Sequence, residues 1–268
     1  MEQTAYFTAV VYILAGIVGL CVGSFLNVVI YRVPLGMSVA YPPSHCPGCG
    51  KPIKWYDNIP VLSYIILGGK CRNCRMHISF RYTAVEVLNA AAWLVCVWRF
   101  LDESIVMTAV SAVTISVLIC VFFIDLEKMI IPDRFQIILA VLGVLAAVFD
   151  KSPISSGKYG LHHIIGAVAG FGVFALVSFV GEKTLGREAL GGGDVKLAGC
   201  MGLFLGWQKL ILAVLDASLI GSIVLVVIVK ISKKSDAEYP FAPFLSFGFA
   251  LSILAGDAVI SAYLALLT

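Results

Sequence analysis

Two aspartates and four cysteines have the residue types and spacing to do chemistry in this chain. Asp194 follows three glycines in LGGGDVK (Leu190–Lys196), and Asp125 closes an apolar run in VFFIDLEKMIIPD. Acids inside apolar segments are costly to bury and are functional candidates by default. Two carboxylates at close range cannot both ionise, so such a pair shares one proton. The ionised partner can take a proton from a water attacking an amide carbonyl, while the protonated partner donates to the carbonyl oxygen. The pair titrates as a unit, so neither role is assigned to one residue. The glycines before Asp194 offer freedom at positive φ and room for an extended peptide. A helix starting there offers free N–H groups. The plainer reading is a flexible linker with Asp194 as the N-cap of the next helix.

The cysteines form a second constellation. Cys46-x2-Cys49 is followed, 21 residues on, by Cys71-x2-Cys74. Four thiolates at this spacing can close a tetrahedron around Zn²⁺, with Pro47-Gly48 and Arg72-Asn73 as candidate tight turns. Two disulfides are the competing reading, and a reducing compartment favours metal. A four-cysteine site leaves no open position for water, so its expected role is structural. His45 and His77 beside it read as solvated neighbours. Cys21, Cys96, Cys120 and Cys200 lie in apolar runs and read as buried thiols.

The elements that must position these residues are membrane helices. Hydrophobic residues make up 60% of the chain and charged ones 13%, where soluble domains carry about 25% charged residues. The expected fold is an all-α polytopic membrane protein. About eight spans fall near 9–30, 84–101, 104–124, 135–149, 162–181, 195–208, 210–230 and 241–262. Those at 135–149 and 195–208 are short. Glu2 precedes the first run where a signal peptide would carry a base. The expected domains are a first transmembrane helix (1–30), a cytoplasmic zinc-ribbon-like loop (31–83) and a transmembrane peptidase domain (84–268).

Orientation follows lysine and arginine. The loop 31–83 holds Arg32, Lys51, Lys54, Lys70, Arg72, Arg75 and Arg81 against Asp57 alone, which points it to the cytoplasm. Lys230, Lys233 and Lys234 in the third inner loop agree. Lys151 and Lys158, in a loop assigned outside, do not. From Ser104 to Asp125 a helix rises about 31 Å, so Asp125 comes to the inner rim, the depth at which Asp194 opens its span. Asp216 and Asp257 fall nearer the outer ends and read as packing or surface acids. Around the pair, Asp125, Glu127, Asp133, Glu182, Glu188 and Asp194 nearly balance Lys128, Arg134, Lys183, Arg187 and Lys196. A basic peptide is therefore drawn by local placement, not by a bulk field.

At these residues the chain resembles the type IV prepilin peptidases, bifunctional leader peptidases and N-methyltransferases of the bacterial inner membrane. The likeness runs through GSFLNVVIYRVP (23–34), the CxxC pair, YDNIPVLSY (56–64), RYTAVE (81–86), IDLEKMIIPD (124–133), GGGDVKLAG (191–199) and PFAPFLSFG (240–248). The resemblance implies that Asp125 and Asp194 are catalytic. It implies cleavage of type IV prepilins or type II secretion pseudopilins after a glycine, on the cytoplasmic side. It further implies methylation of the new N-terminal amine with S-adenosylmethionine. Ala242 stands where the family pattern leads one to expect glycine. No nucleotide-binding motif is visible, so the residues that hold S-adenosylmethionine are not identified. Glu86 could orient an amine, or could simply be a helix-start acid. The implied partners are the membrane-inserted pilin substrate and the bilayer, with no nucleic acid. The rival readings are a peptidase without methylation, an ion-coupled transporter and a zinc-stabilised scaffold without activity.

Overall fold

The computed structural model describes residues 2–150, 159–186, 190–232 and 239–267. Lys151, Lys158, Arg187, Glu188, Lys233 and Lys234 lie outside the described residues. The chain divides into two compact units, Met1–Leu101 and Asp102–Thr268.

In the first unit, α1 (Glu2–Arg32) packs against α3 (Phe80–Phe100). Ser79 starts α3 by accepting from the Arg81 N–H, an N-cap that satisfies one of the orphan donors of a first turn. The two helices approach closely because α1 presents Gly19 and Gly23 to the backbone of Ala90 and Glu86. Buried asparagines lock the crossing. The Asn89 side chain donates to Gly19 O at 2.7 Å, and Asn27 donates to Tyr82 O at 3.0 Å. Between these helices the chain makes two turns around the cysteines and the five-residue helix α2 (Leu62–Ile66).

The second unit holds α4 (Ile105–Lys128), α5 (Asp133–Phe149), α6 (Tyr159–Leu185), α7 (Gly192–Ser232) and α8 (Ala242–Leu267). Helix α7 is central, packed by α5, α6 and α8, while α4 packs on α8 and α5. At 41 residues, α7 would be about 60 Å long if straight, twice a bilayer core. It is not straight. Gly206 has φ 75° and ψ 169° and breaks it into two segments. These are the two spans expected at 195–208 and 210–230, with the boundary at Gly206. Among the described residues, six helices are long and apolar enough to cross a membrane, with α7 counted once; α5, at 17 residues, is a little shorter. Resolving α7 into its two halves and adding α5 gives the eight-span helical architecture expected from composition.

Small residues set how closely α6 and α7 meet. A side chain at Gly166 or Gly170 would run into the backbone of Gly202, Gly206 and Ala198, the small-xxx-small contact by which membrane helices gain packing. The break itself is satisfied from α6: His163 Nδ1 donates to Leu203 O at 2.9 Å. Its Nε2 faces Asp150 Oδ2 at 3.4 Å.

Candidate active site and metal centre

One end of the second unit gathers three helix termini: the end of α4 and the starts of α7 and α8. Asp125 sits in the last turn of α4 and is 6% exposed. Met129, at φ 53°, stops that helix and donates its N–H to Asp125 O at 2.8 Å. Asp194 sits in the first turn of α7. The carboxylates of Asp125 and Asp194 are near enough to act on one another electrostatically. The Asp194 Oδ1 is buried and has no hydrogen-bond partner among the described residues. A buried oxygen without a partner is costly to leave dry, and it is a place for a shared proton or a water.

What sequence reasoning missed here is the part played by helix α8, whose PFAPF start it had marked: α8 packs on both α4 and α7. The backbone N–H of Ala242 at its start interacts with the Asp125 carboxylate. Ala242 itself is fully buried, so the position where a glycine was expected takes a methyl and keeps the backbone contact. Gln136 of α5 was also missed. It is 6% exposed, and its Nε2 donates to Gly193 O at 3.0 Å, pinning the turn before Asp194. Its only sequence signal is an amide in an otherwise apolar helix.

The glycine run works differently from expectation. None of Gly191, Gly192 and Gly193 has positive φ. Gly193 is there for space, since a Cβ would press on Ile131 at 3.1 Å. Beside Gly192 there is open room, and beside Gly191 only the Asp194 carboxylate, 3.6 Å from where a Cβ would stand. Lys196, next to the pair in sequence, bonds to Asp133 at 2.7 Å on the surface instead. Asp257 is no surface acid. It pairs with Lys209 at 3.1 Å, both largely covered, away from the aspartate pair along α7.

In the first unit, Cys46, Cys49, Cys71 and Cys74 converge with all four Sγ atoms within 4.8 Å of one another. Cys46 and Cys74 Sγ are 3.6 Å apart. A Zn–S distance of about 2.3 Å gives tetrahedral S···S edges of roughly 3.8 Å, so the donor set fits a tetrahedral ion. Each pair lies on the same kind of turn. Gly50 N donates to Cys46 O at 2.8 Å, and Arg75 N to Cys71 O at 3.0 Å. The positive φ falls after each pair, at Gly50 (68°) and Arg75 (60°), not within Pro47-Gly48 or Arg72-Asn73. The backbone N–H groups of Cys74 and Asn73 draw the Cys71 thiol down to about 6, which favours the thiolate a metal needs. Arg72 grips Asp57 in a two-nitrogen fork, with 2.6 and 2.9 Å bonds, tying the second turn to the YDNIP segment. His45 and His77 are exposed. Cys96 and Cys120 are buried as expected, Cys200 is partly covered, and Cys21 is exposed on α1. Glu86 is not a free helix-start acid: its carboxylate accepts the Val61 N–H at 2.8 Å.

Helices of membrane length, a paired-acid terminus and a four-cysteine ribbon together define a polytopic membrane protein with a potential hydrolytic site. Comparison with known families narrows this. The bacterial peptidase A24 N-terminal domain matches residues 17–100, and the type IV leader peptidase family matches residues 112–226. A prepilin leader peptidase/N-methyltransferase of Pseudomonas putida is 32% identical over 99% of this chain and 96% of its own. A protein of the same name from Myxococcus xanthus is 40% identical over 82% of this chain, a match that spans 63% of that longer protein. An Escherichia coli type 4 prepilin-like proteins leader peptide-processing enzyme is 35% identical over 90% of this chain and 93% of its own. No solved structure matches it. The chain belongs to the type IV leader peptidase family. Membership separates the enzyme reading from the transporter and scaffold readings.

Proposed function

We propose that this chain removes the leader of type IV prepilins or type II secretion pseudopilins after a glycine, and methylates the amine it uncovers. The mutual electrostatic action of Asp125 and Asp194, with the Asp194 Oδ1 unpartnered, carries the peptidase half. The two carboxylates share a proton. Water held between them loses a proton to the ionised partner as it attacks the carbonyl carbon, and the other carboxyl donates to the carbonyl oxygen. Collapse of the tetrahedral intermediate breaks the C–N bond, and a proton passes to the leaving amine. Gln136 holds the Gly193 carbonyl and Ala242 N–H steadies Asp125, which keeps the pair oriented. The open space beside Gly191 and Gly192 admits an extended substrate backbone.

Zn²⁺ held by Cys46, Cys49, Cys71 and Cys74 is structural in this reading, cross-linking a loop too small to fold on apolar burial alone. S-adenosylmethionine, when bound, would supply an electrophilic methyl group on a sulfonium sulfur for the new N-terminal amine. The basic loop 31–83 sets the orientation, with the aspartates and the ribbon on the cytoplasmic face of the inner membrane. Leader removal from a purified prepilin in proteoliposomes tests the proposal. Asp125→Asn and Asp194→Asn should each lower the rate about 10³-fold or more, as for members of a catalytic unit. Full cleavage by either variant removes the pair from the mechanism.

A further inference from the structure

Apart from the cysteines and the aspartate pair, the first unit buries a charge of its own. Arg32 ends α1 and is only 6% exposed. It donates from Nη1 to Ser38 O at 3.0 Å and from Nη2 to Pro42 O at 2.7 Å. A guanidinium carries more N–H donors than these two bonds use, and neutral carbonyls do not cancel its charge. Among the described residues no carboxylate pairs with it. Asp57 is held by Arg72, and Glu86 is engaged by the Val61 N–H and the Ser24 hydroxyl. A buried cation without a counterion is costly, so this position favours an anion from outside the chain.

Arg32 lines a cleft of about 370 Å³ between α1 and two irregular stretches of the loop, near residues 39–44 and 58–60, and it is the only charged residue in the lining. Ser44 and Asn58 add a hydroxyl and an amide whose side chains are not otherwise hydrogen-bonded among the described residues. The α1 wall has a direction. Arg32, Val28, Phe25 and Cys21 follow one another at three- and four-residue spacing and so share one face of the helix. Val18 and Leu14 continue that face, 42% and 55% exposed. From Arg32 back to Cys21 the helix covers about 16 Å, roughly one leaflet of a ~30 Å hydrocarbon core. Helix α1 is of membrane length, and Arg32 stands at its loop end. The face therefore runs from a cation at the membrane rim to an apolar strip at membrane depth.

We infer that this cleft seats one membrane phospholipid, with its phosphate on Arg32 and an acyl chain along Val28, Phe25 and Cys21. Arginine suits phosphate because its planar fork matches the phosphate oxygens, and the Ser44 hydroxyl and Asn58 amide can donate to the same head group. A free phosphate would use the cation and leave the apolar strip bare. A lipid without phosphate would use the strip and leave Arg32 without a counterion. The same guanidinium holds the 38–42 segment, so the lipid phosphate fixes the start of the cysteine loop at the bilayer rim. The inference is independent of both halves of the proposed activity.

The test is native mass spectrometry of the full-length protein in detergent, with phosphatidylglycerol, diacylglycerol of the same chains and inorganic phosphate as probes. The wild type should bind phosphatidylglycerol at least tenfold more tightly than diacylglycerol, and inorganic phosphate at matched concentration should not displace it. Arg32→Gln should abolish that preference. Because Arg32 also holds the 38–42 segment, a second variant leaves it in place. Ala40 lines the cleft from an exposed turn, so Ala40→Trp fills the cleft without touching the carbonyl bonds of Arg32. A40W should bind phosphatidylglycerol at least tenfold more weakly than the wild type, with an unchanged denaturation midpoint. Equal binding of the two lipids by the wild type, or undiminished binding by folded A40W, would mean ordinary lipid contact and overturns the site. Displacement by inorganic phosphate overturns the lipid assignment and makes a soluble oxyanion the ligand.

Discussion

At the scale of single residues, the site depends on backbone groups that hold two carboxylates. Ala242 illustrates this. The pattern of the family led to an expectation of glycine there, yet the contact with Asp125 comes from the backbone N–H, and the methyl is buried without harm. Ala242→Gly should therefore keep leader cleavage within about twofold and cost no more than about 1 kcal/mol of stability. Ala242→Pro, which removes the N–H, should reduce the cleavage rate at least tenfold. Initial rates in proteoliposomes compare the two, and equal rates would mean the N–H contributes nothing. The aspartates and cysteines proposed for the two sites were readable in the sequence, because acids in apolar runs and CxxC pairs are chemically conspicuous. Gln136 was not readable, and of Ala242 only its place in PFAPF was, since each acts through an amide or N–H whose partner is distant along the chain.

At the scale of elements, two local devices carry the arrangement. The break at Gly206 turns one long apolar stretch into two crossings. Its φ of 75° and ψ of 169° are open essentially only to glycine, and a Cβ would strike the His162 ring. Gly206→Ala should destabilise the second unit by about 1–3 kcal/mol from the backbone alone, read as a lower denaturation midpoint in detergent; an unchanged midpoint would mean the break is not required. The sequence pointed to two spans here because of their combined length, but the exact hinge depends on the fit of α6 against α7. The ribbon is the second device. Cys46→Ser should reduce bound zinc from about one equivalent to none, by elemental analysis of the purified protein. Retained zinc would exclude this ligand set. The turns do contain Pro47-Gly48 and Arg72-Asn73; CxxC spacing fixes where the sulfurs go and leaves open which neighbouring residue takes positive φ, and here Gly50 and Arg75 do so.

For the whole molecule, the division into two compact units is the ground for proposing that cleavage and methylation are separable. Each unit has its own helices and its own polar locks. Asp125→Asn should then still methylate a synthetic, already leaderless pilin peptide at a rate near that of the wild type while failing to cleave the prepilin. Loss of both activities in a folded D125N would mean that the halves do not work independently. Composition made the membrane class and span count legible, because few charges leave no other surface to present. It could not reveal that α8 bridges α4 and α7, since that packing is set by surfaces far apart in sequence.

The most direct measurement of the central claim is intact-mass spectrometry of a purified prepilin incubated in proteoliposomes with the wild type, D125N or D194N, each checked for folding. The account predicts a pilin shortened at the glycine with the wild type and an uncut prepilin with both variants. A cut pilin from either variant at the rate of the wild type would contradict it.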